Sequence, residues 1–255
     1  MNMEKITYHD IKNTFPEEKK TVEAIYGRII PVRKLSYIVT IPFLKLNVSA
    51  FQVSILSILC SVLAAVFIAS PNRFLTIIGV ILVPIWHLLD CVDGNIARYK
   101  KTSSFYGEAV DAISGYYMYA FLPIALGIAS YNVDSSYFGL DKHTFLILGG
   151  LASISNLLMR LIHQKYAFVS QKQEQKTGMH IDKGDEQYHL TGFHKFRKMV
   201  GVELGPVGAP MFVLWIAPFF DLYYLLTIYY FLFFTSSLIV VTIYYLKKCN
   251  MVDRQ

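Results

Sequence analysis

DCVDGNIARYKKTSSFYGEAVDAISG, residues 90–115, joins two long apolar blocks and sets three aspartates, Asp90, Asp93 and Asp111, near the ends where those blocks meet. On either side the chain is too apolar for an ordinary soluble domain: 54% of its 255 residues are hydrophobic and the mean hydropathy is +0.41. The apolar residues gather in blocks of about 20, the length a helix needs to cross a hydrocarbon core ~30 Å thick. Six blocks run near 50–70, 74–98, 104–129, 143–163, 206–220 and 222–246. They predict an all-α, polytopic membrane protein with six transmembrane helices.

Ahead of the first block, RKLSYIVTIPFLKL carries Leu35, Ile38 and Val39 at helical spacing, with Arg33, Lys34 and Lys45 at its ends. This reads as an interfacial amphipathic helix, expected to kink or stop near Ile41 because Pro42 lacks an amide donor. Residues 1–32 have no signal-peptide core and are expected to form a soluble leader. The membrane domain should then span 33–248, with a short tail at 249–255.

Basic residues fix an expected orientation. RYKK at 98–101, the stretch from Lys165 to Lys198, and Lys247–Lys248 all fall on one side if six spans alternate. That side is expected to be cytosolic, as are both termini. A polar loop is expected over about 165–203, where 171–198 shows no sustained apolar period and His180, His189 and His194 lack helical metal-site spacing. The net charge of +6 sits at span ends rather than along one aromatic-studded face, which argues against a nucleic-acid partner. Cys60, Cys91 and Cys249 are far apart, so neither a disulfide framework nor a zinc site is indicated.

The aspartates need a reason to be there. In the middle of a spanning helix each would cost ~2.5–3.5 kcal/mol, and although the cost shrinks near the interface, a bare structural role is disfavoured. At 100° per residue, Asp90, Asp93, Gly94 and Ala97 share one helix face. On the next helix Gly107, Asp111 and Gly115 are four apart, so a carboxylate is flanked by positions without side chains. A groove between the two helices follows, with hard oxygen ligands for Mg²⁺ or Mn²⁺ and room for a substrate to approach the backbone. Arg98 and the neighbouring lysines add positive charge for an anionic substrate such as a nucleotide diphosphate.

Asp90, Asp93, Gly94, Ala97, Arg98, Gly107 and Asp111 together resemble the CDP-alcohol phosphotransferase pattern DxxDGxxARx8GxxxDxxxD. Seven fixed positions at roughly 5–7% each coincide by chance about once in 10⁸ to 10⁹ starting points. The resemblance implies a metal-dependent transferase that moves a substituted phosphate from a CDP-linked alcohol, such as CDP-diacylglycerol, to an acceptor with release of CMP. It implies Asp90, Asp93 and Asp111 as metal ligands, with Asp111 also among the catalytic residues. Gly94, Ala97, Arg98 and Gly107 would shape or contact the nucleotide, and a homodimer in phospholipid or glycolipid biosynthesis is expected.

One position departs. The pattern's last aspartate, which would help hold a second metal and take the acceptor's proton, falls at Gly115. Glu108, one turn before Asp111, and His87, one turn before Asp90, are the candidate replacements. Two other readings stay open: an acceptor that needs no strong base, and a member that binds nucleotide without turnover. A non-enzymatic, ion-coupled transporter is the alternative from another class. Its acidic residues usually lie midway through a bundle, whereas Asp90 and Asp93 sit within about ten residues of the RYKK boundary.

Overall fold

The computed structural model describes residues 6–15, 31–102, 104–133, 139–178 and 204–252, without the side chains of Glu108, Thr177 and Val252. The described residues form helices and turns, with no strand among them. In chain order the helices are α1 (Tyr8–Asn13), α2 (Val32–Lys45), α3 (Ala50–Ile68), α4 (Arg73–Lys100), α5 (Phe105–Asn132), α6 (Lys142–Thr177), α7 (Pro210–Phe220) and α8 (Tyr223–Val252).

Local chemistry sets the helix ends. Ser49 opens α3 with a capping box, accepting from the Gln52 amide while the Gln52 side chain accepts from the Ser49 amide. Asn72, Ser104 and Asp141 cap α4, α5 and α6 through their side chains. At the far end of α4, Lys101 turns into the left-handed region at φ 52° and the Thr102 amide donates back to the Ala97 carbonyl. The motif's first helix therefore ends within the basic run 98–101.

Five helices, α3, α4, α5, α6 and α8, are long and apolar enough to cross a membrane. The chain is an integral membrane protein. The expected fifth span is the 11-residue α7, whose rise of about 16 Å falls short of a ~30 Å core. Pro210 at its start and the left-handed Asp221 at its end confine it.

Three further expectations are corrected. Of the kink or stop expected near Ile41, the stop does not occur: α2 runs through Pro42 to Lys45. Pro42 withholds only the bond to the carbonyl of Ile38, an exposed residue in the last turns, and the Leu46 amide restores the ladder by donating to the Pro42 carbonyl. α6 continues to Thr177 rather than ending near 163, because residues 164–177 contain neither glycine nor proline and Gly178 is the first residue to adopt a positive φ. The polar stretch expected over 165–203 is therefore helical at its start; residues 179–203, with His180, His189 and His194, lie outside the described residues. The leader is not wholly solvated either. Ile11 of α1 and Phe15, just past its end, are buried against the core, and the Tyr8 ring meets Tyr37 of α2 edge-on.

Packing leaves a gap between α4 and α5. α3 lies along both α4 and α5, α6 packs on α5 and α8, and α2 packs on α4, whereas α4 and α5 barely touch each other. Deep in that gap Trp86 of α4 donates to Ser114 of α5 at 3.0 Å, and Ser114 shares a 2.7 Å hydrogen bond with Ser57 of α3. These contacts floor a groove that widens toward the α4–α5 connection. α5 and α6 instead meet closely, with the α carbons of Gly127 and Gly149 facing and no room for a Cβ at either.

Candidate active site

The groove between α4 and α5 measures about 880 Å³. Its walls include Asp93, Gly94, Ala97 and Arg98 from α4, Gly107 and Asp111 from α5, and Asn47, Ser49, Phe51 and Ser54 from the start of α3 and the turn before it. Six of the residues expected to bind metal or nucleotide thus share one cavity. Asp90 lies one turn deeper on the same face of α4 and is half-buried.

Asp93 is the most enclosed of the three carboxylates, 3% exposed. Its Oδ2 accepts a 2.6 Å hydrogen bond from Ser54 Oγ, while Oδ1 is buried with no hydrogen-bond partner among the described residues. Asp111 is exposed at the groove mouth, and its charge repels those of Asp90 and Asp93. Positive charge approaches from Arg33 of α2, which attracts Asp90, and from Arg98, which attracts Asp93.

Arg98 is held by a chain of polar side chains that starts in α2. Ser36 Oγ donates to the Arg33 carbonyl at 2.8 Å and Thr40 Oγ1 to the Ser36 carbonyl at 2.6 Å. Their hydroxyl protons are thereby committed, so both oxygens accept from Asn95 Nδ2, at 2.9 and 3.2 Å. Asn95 Oδ1 then accepts from Arg98 Nη2 at 2.8 Å. The guanidinium folds back over Gly94, where a Cβ would lie 3.1 Å from Nη1, so the glycine leaves room for the arginine as well as for a ligand. Phe15 faces both basic groups, its ring centroid 4.4 Å from Arg33 Cζ and 5.3 Å from Arg98 Cζ. Beside them Lys100 Nζ donates to Asn47 Oδ1 and to the Val48 carbonyl, each at 3.0 Å.

Neither candidate replacement for the missing carboxylate lies on the groove wall as described. His87 sits one turn below Asp90 on α4, tilted against Trp86 with ring centroids 6.2 Å apart. The side chain of Glu108 lies outside the described residues. At Gly115 itself a Cβ would meet only the Tyr119 ring, at 3.7 Å, an ordinary contact. The position is open.

A family model, CDP-alcohol phosphatidyltransferase, matches residues 47–181, more than half of the chain. The chain belongs to the CDP-alcohol phosphatidyltransferase family. No curated protein matches it. This phosphatidyltransferase match runs from the turn before α3, through the groove-forming ends of α4 and α5, and past the end of α6. Ser54 and Asn95, which hold the motif's Asp93 and Arg98, were not singled out from the sequence. A cue was available for the first: Ser54, Ser57 and Ser61 recur at helical spacing through an otherwise apolar helix.

CDP-alcohol transferases generally use a divalent metal. Among the described residues no three His, Cys, Asp or Glu side chains converge closely enough to close a metal cage. The donor chemistry nevertheless suits a hard cation. Three carboxylates repel one another across a narrow space, and a buried Asp93 oxygen has no donor among the described residues.

Proposed function

We propose that this protein transfers a substituted phosphate from a CDP-linked alcohol, such as CDP-diacylglycerol, to an acceptor with release of CMP, serving phospholipid or related glycolipid synthesis. The observation that carries the reading is the single groove lined by Asp93, Gly94, Ala97, Arg98, Gly107 and Asp111. Asp90, Asp93 and Asp111 would hold Mg²⁺ or Mn²⁺, which neutralises diphosphate charge and stabilises the leaving phosphate. Arg98, fixed by Asn95, presents its guanidinium to the phosphates. Gly94, Ala97 and Gly107 let the nucleotide lie against the backbone. An acceptor oxygen bonds to the β-phosphorus as the bond from that phosphorus to the CMP oxygen breaks.

In this reading the groove opens to the cytosol, where the basic ends of α4, α6 and α8 attract an anionic substrate and both termini also lie. The exposed Leu35 and Ile38 of α2 rest in the membrane interface, while its polar face holds Asn95. α7 serves as a short sixth membrane element, residues 33–248 form the catalytic domain, and two copies assemble as a homodimer. Glu108 and His87 stay candidate bases for a hydroxyl acceptor. Gly115 favours one second reading, a member that binds nucleotide without turnover.

The test is CMP release by purified protein in lipid nanodiscs, assayed with a panel of CDP-linked donors and acceptors in Mg²⁺ or Mn²⁺. Turnover that Asp111→Asn abolishes supports the transferase. Absence of any such turnover, with CDP still bound, supports the second reading.

A further inference from the structure

α1 is short but fastened at both ends. Thr7 and Asp10 form a capping box at its start. At its end Thr14 Oγ1 donates to the Ile11 carbonyl at 2.7 Å, and the Phe15 amide donates to the Lys12 carbonyl at 3.1 Å. The helix packs on α2 and reaches α4, with Ile11 fully buried and the Tyr8 ring edge-on to Tyr37. These contacts determine where the Phe15 ring comes to rest, and the ring too is buried.

What the ring meets is a pair of cations. Arg33 Cζ lies over it at 4.4 Å and Arg98 Cζ at 5.3 Å, both residues are half-buried, and their charges repel one another. Among the described residues neither makes an ion pair, and Arg98 Nε is buried without an acceptor. A carboxylate in place of the ring would hold both guanidiniums more strongly, but it would cancel charge and occupy N–H donors. An aromatic face attracts a cation through its quadrupole, adds no charge and leaves the donors to other partners. The two arginines are thereby kept together at full charge, Arg98 on the groove wall and Arg33 close enough to attract Asp90.

We infer that Phe15 is a positioning residue for nucleotide binding: docking of α1 sets the ring that holds Arg98 and Arg33 together, so that both charges act on the donor's diphosphate. The leader is then part of the nucleotide site, although it precedes the membrane domain. The inference rests on the nucleotide half of the transferase reading. By linkage, CDP binding and α1 docking strengthen each other by the same factor.

The experiment uses the full chain in phosphatidylcholine nanodiscs with Mg²⁺, into which CDP is titrated. Phe15 is replaced in turn by mono-, di- and trifluorinated phenylalanine, which keep the ring's shape and apolar character while withdrawing charge from its face. The expected result is a stepwise loss of CDP affinity, reaching about threefold with the trifluorinated ring, at an unchanged unfolding temperature. Phe15→Leu, which removes the ring face altogether, should lose at least as much. CDP affinity that stays flat across the fluorinated series makes the ring a packing element, overturns the inference and leaves the transferase reading standing. A loss of affinity that tracks a falling unfolding temperature overturns it likewise. Absence of CDP binding by the unaltered chain would instead strike the transferase reading, and the inference with it.

Discussion

Ser54 Oγ of α3 donates a 2.6 Å hydrogen bond to Asp93 Oδ2 of α4, so the most enclosed carboxylate of the groove is aimed by a neighbouring helix. Hydrogen bonds to charged groups contribute about 1.5–3 kcal/mol. Ser54→Ala is therefore expected to lower the unfolding midpoint in detergent and to weaken Mg²⁺-dependent CDP binding about tenfold. A variant indistinguishable from the parent in both would show that Asp93 is positioned by its own helix alone.

Asn95 joins the polar face of α2 to Arg98, with Nδ2 and Oδ1 fully used. Asn95→Leu keeps the volume and removes the relay, leaving Arg98 Nη2 without its acceptor at a cost of about 1–3 kcal/mol. Donor KM should rise about tenfold in steady-state CMP release while acceptor KM changes little. Equal effects on both substrates would place Asn95 in general stability rather than in nucleotide binding.

Gly149 and Gly150 are adjacent in sequence and opposite in consequence. A Cβ at Gly149 would lie 2.6 Å from the Pro123 carbonyl oxygen, whereas at Gly150 it meets nothing within 4 Å. Gly149→Ala must push α5 and α6 apart and is expected to destabilise by about 1–3 kcal/mol. Gly150→Ala should be neutral or slightly stabilising, since alanine is the better helix former. Thermal unfolding of the two variants side by side decides the matter, and similar midpoints would refute the close crossing.

Sequence legibility followed the strength of each physical signal. The motif residues from Asp90 to Asp111 could be read because spacing alone puts them on facing stripes, and long apolar blocks announced α3, α4, α5, α6 and α8. Ser54 and Asn95 escaped because a small polar side chain on a helix looks like a neutral packing choice until its partner helix is known. The docking of Ile11 and Phe15 escaped for a related reason: two apolar residues in a polar leader are too few to establish a period. The end of α6 was misjudged because polarity was taken to end the helix, when only a breaker does so, and Gly178 is the first one. α7 was drawn as a span from its composition, although its proline and its left-handed terminus leave it 11 residues long.

The central claim is that Asp90, Asp93 and Asp111, together with Arg98, form a metal-dependent nucleotide site. Calorimetric titration of CDP into the nanodisc-embedded protein, with Mg²⁺ and with a chelator, addresses it most directly. The account predicts binding that requires the metal and falls by more than about tenfold, ~1.4 kcal/mol, in Asp93→Asn. CDP affinity that is the same with chelator, or the same in Asp93→Asn, would contradict it.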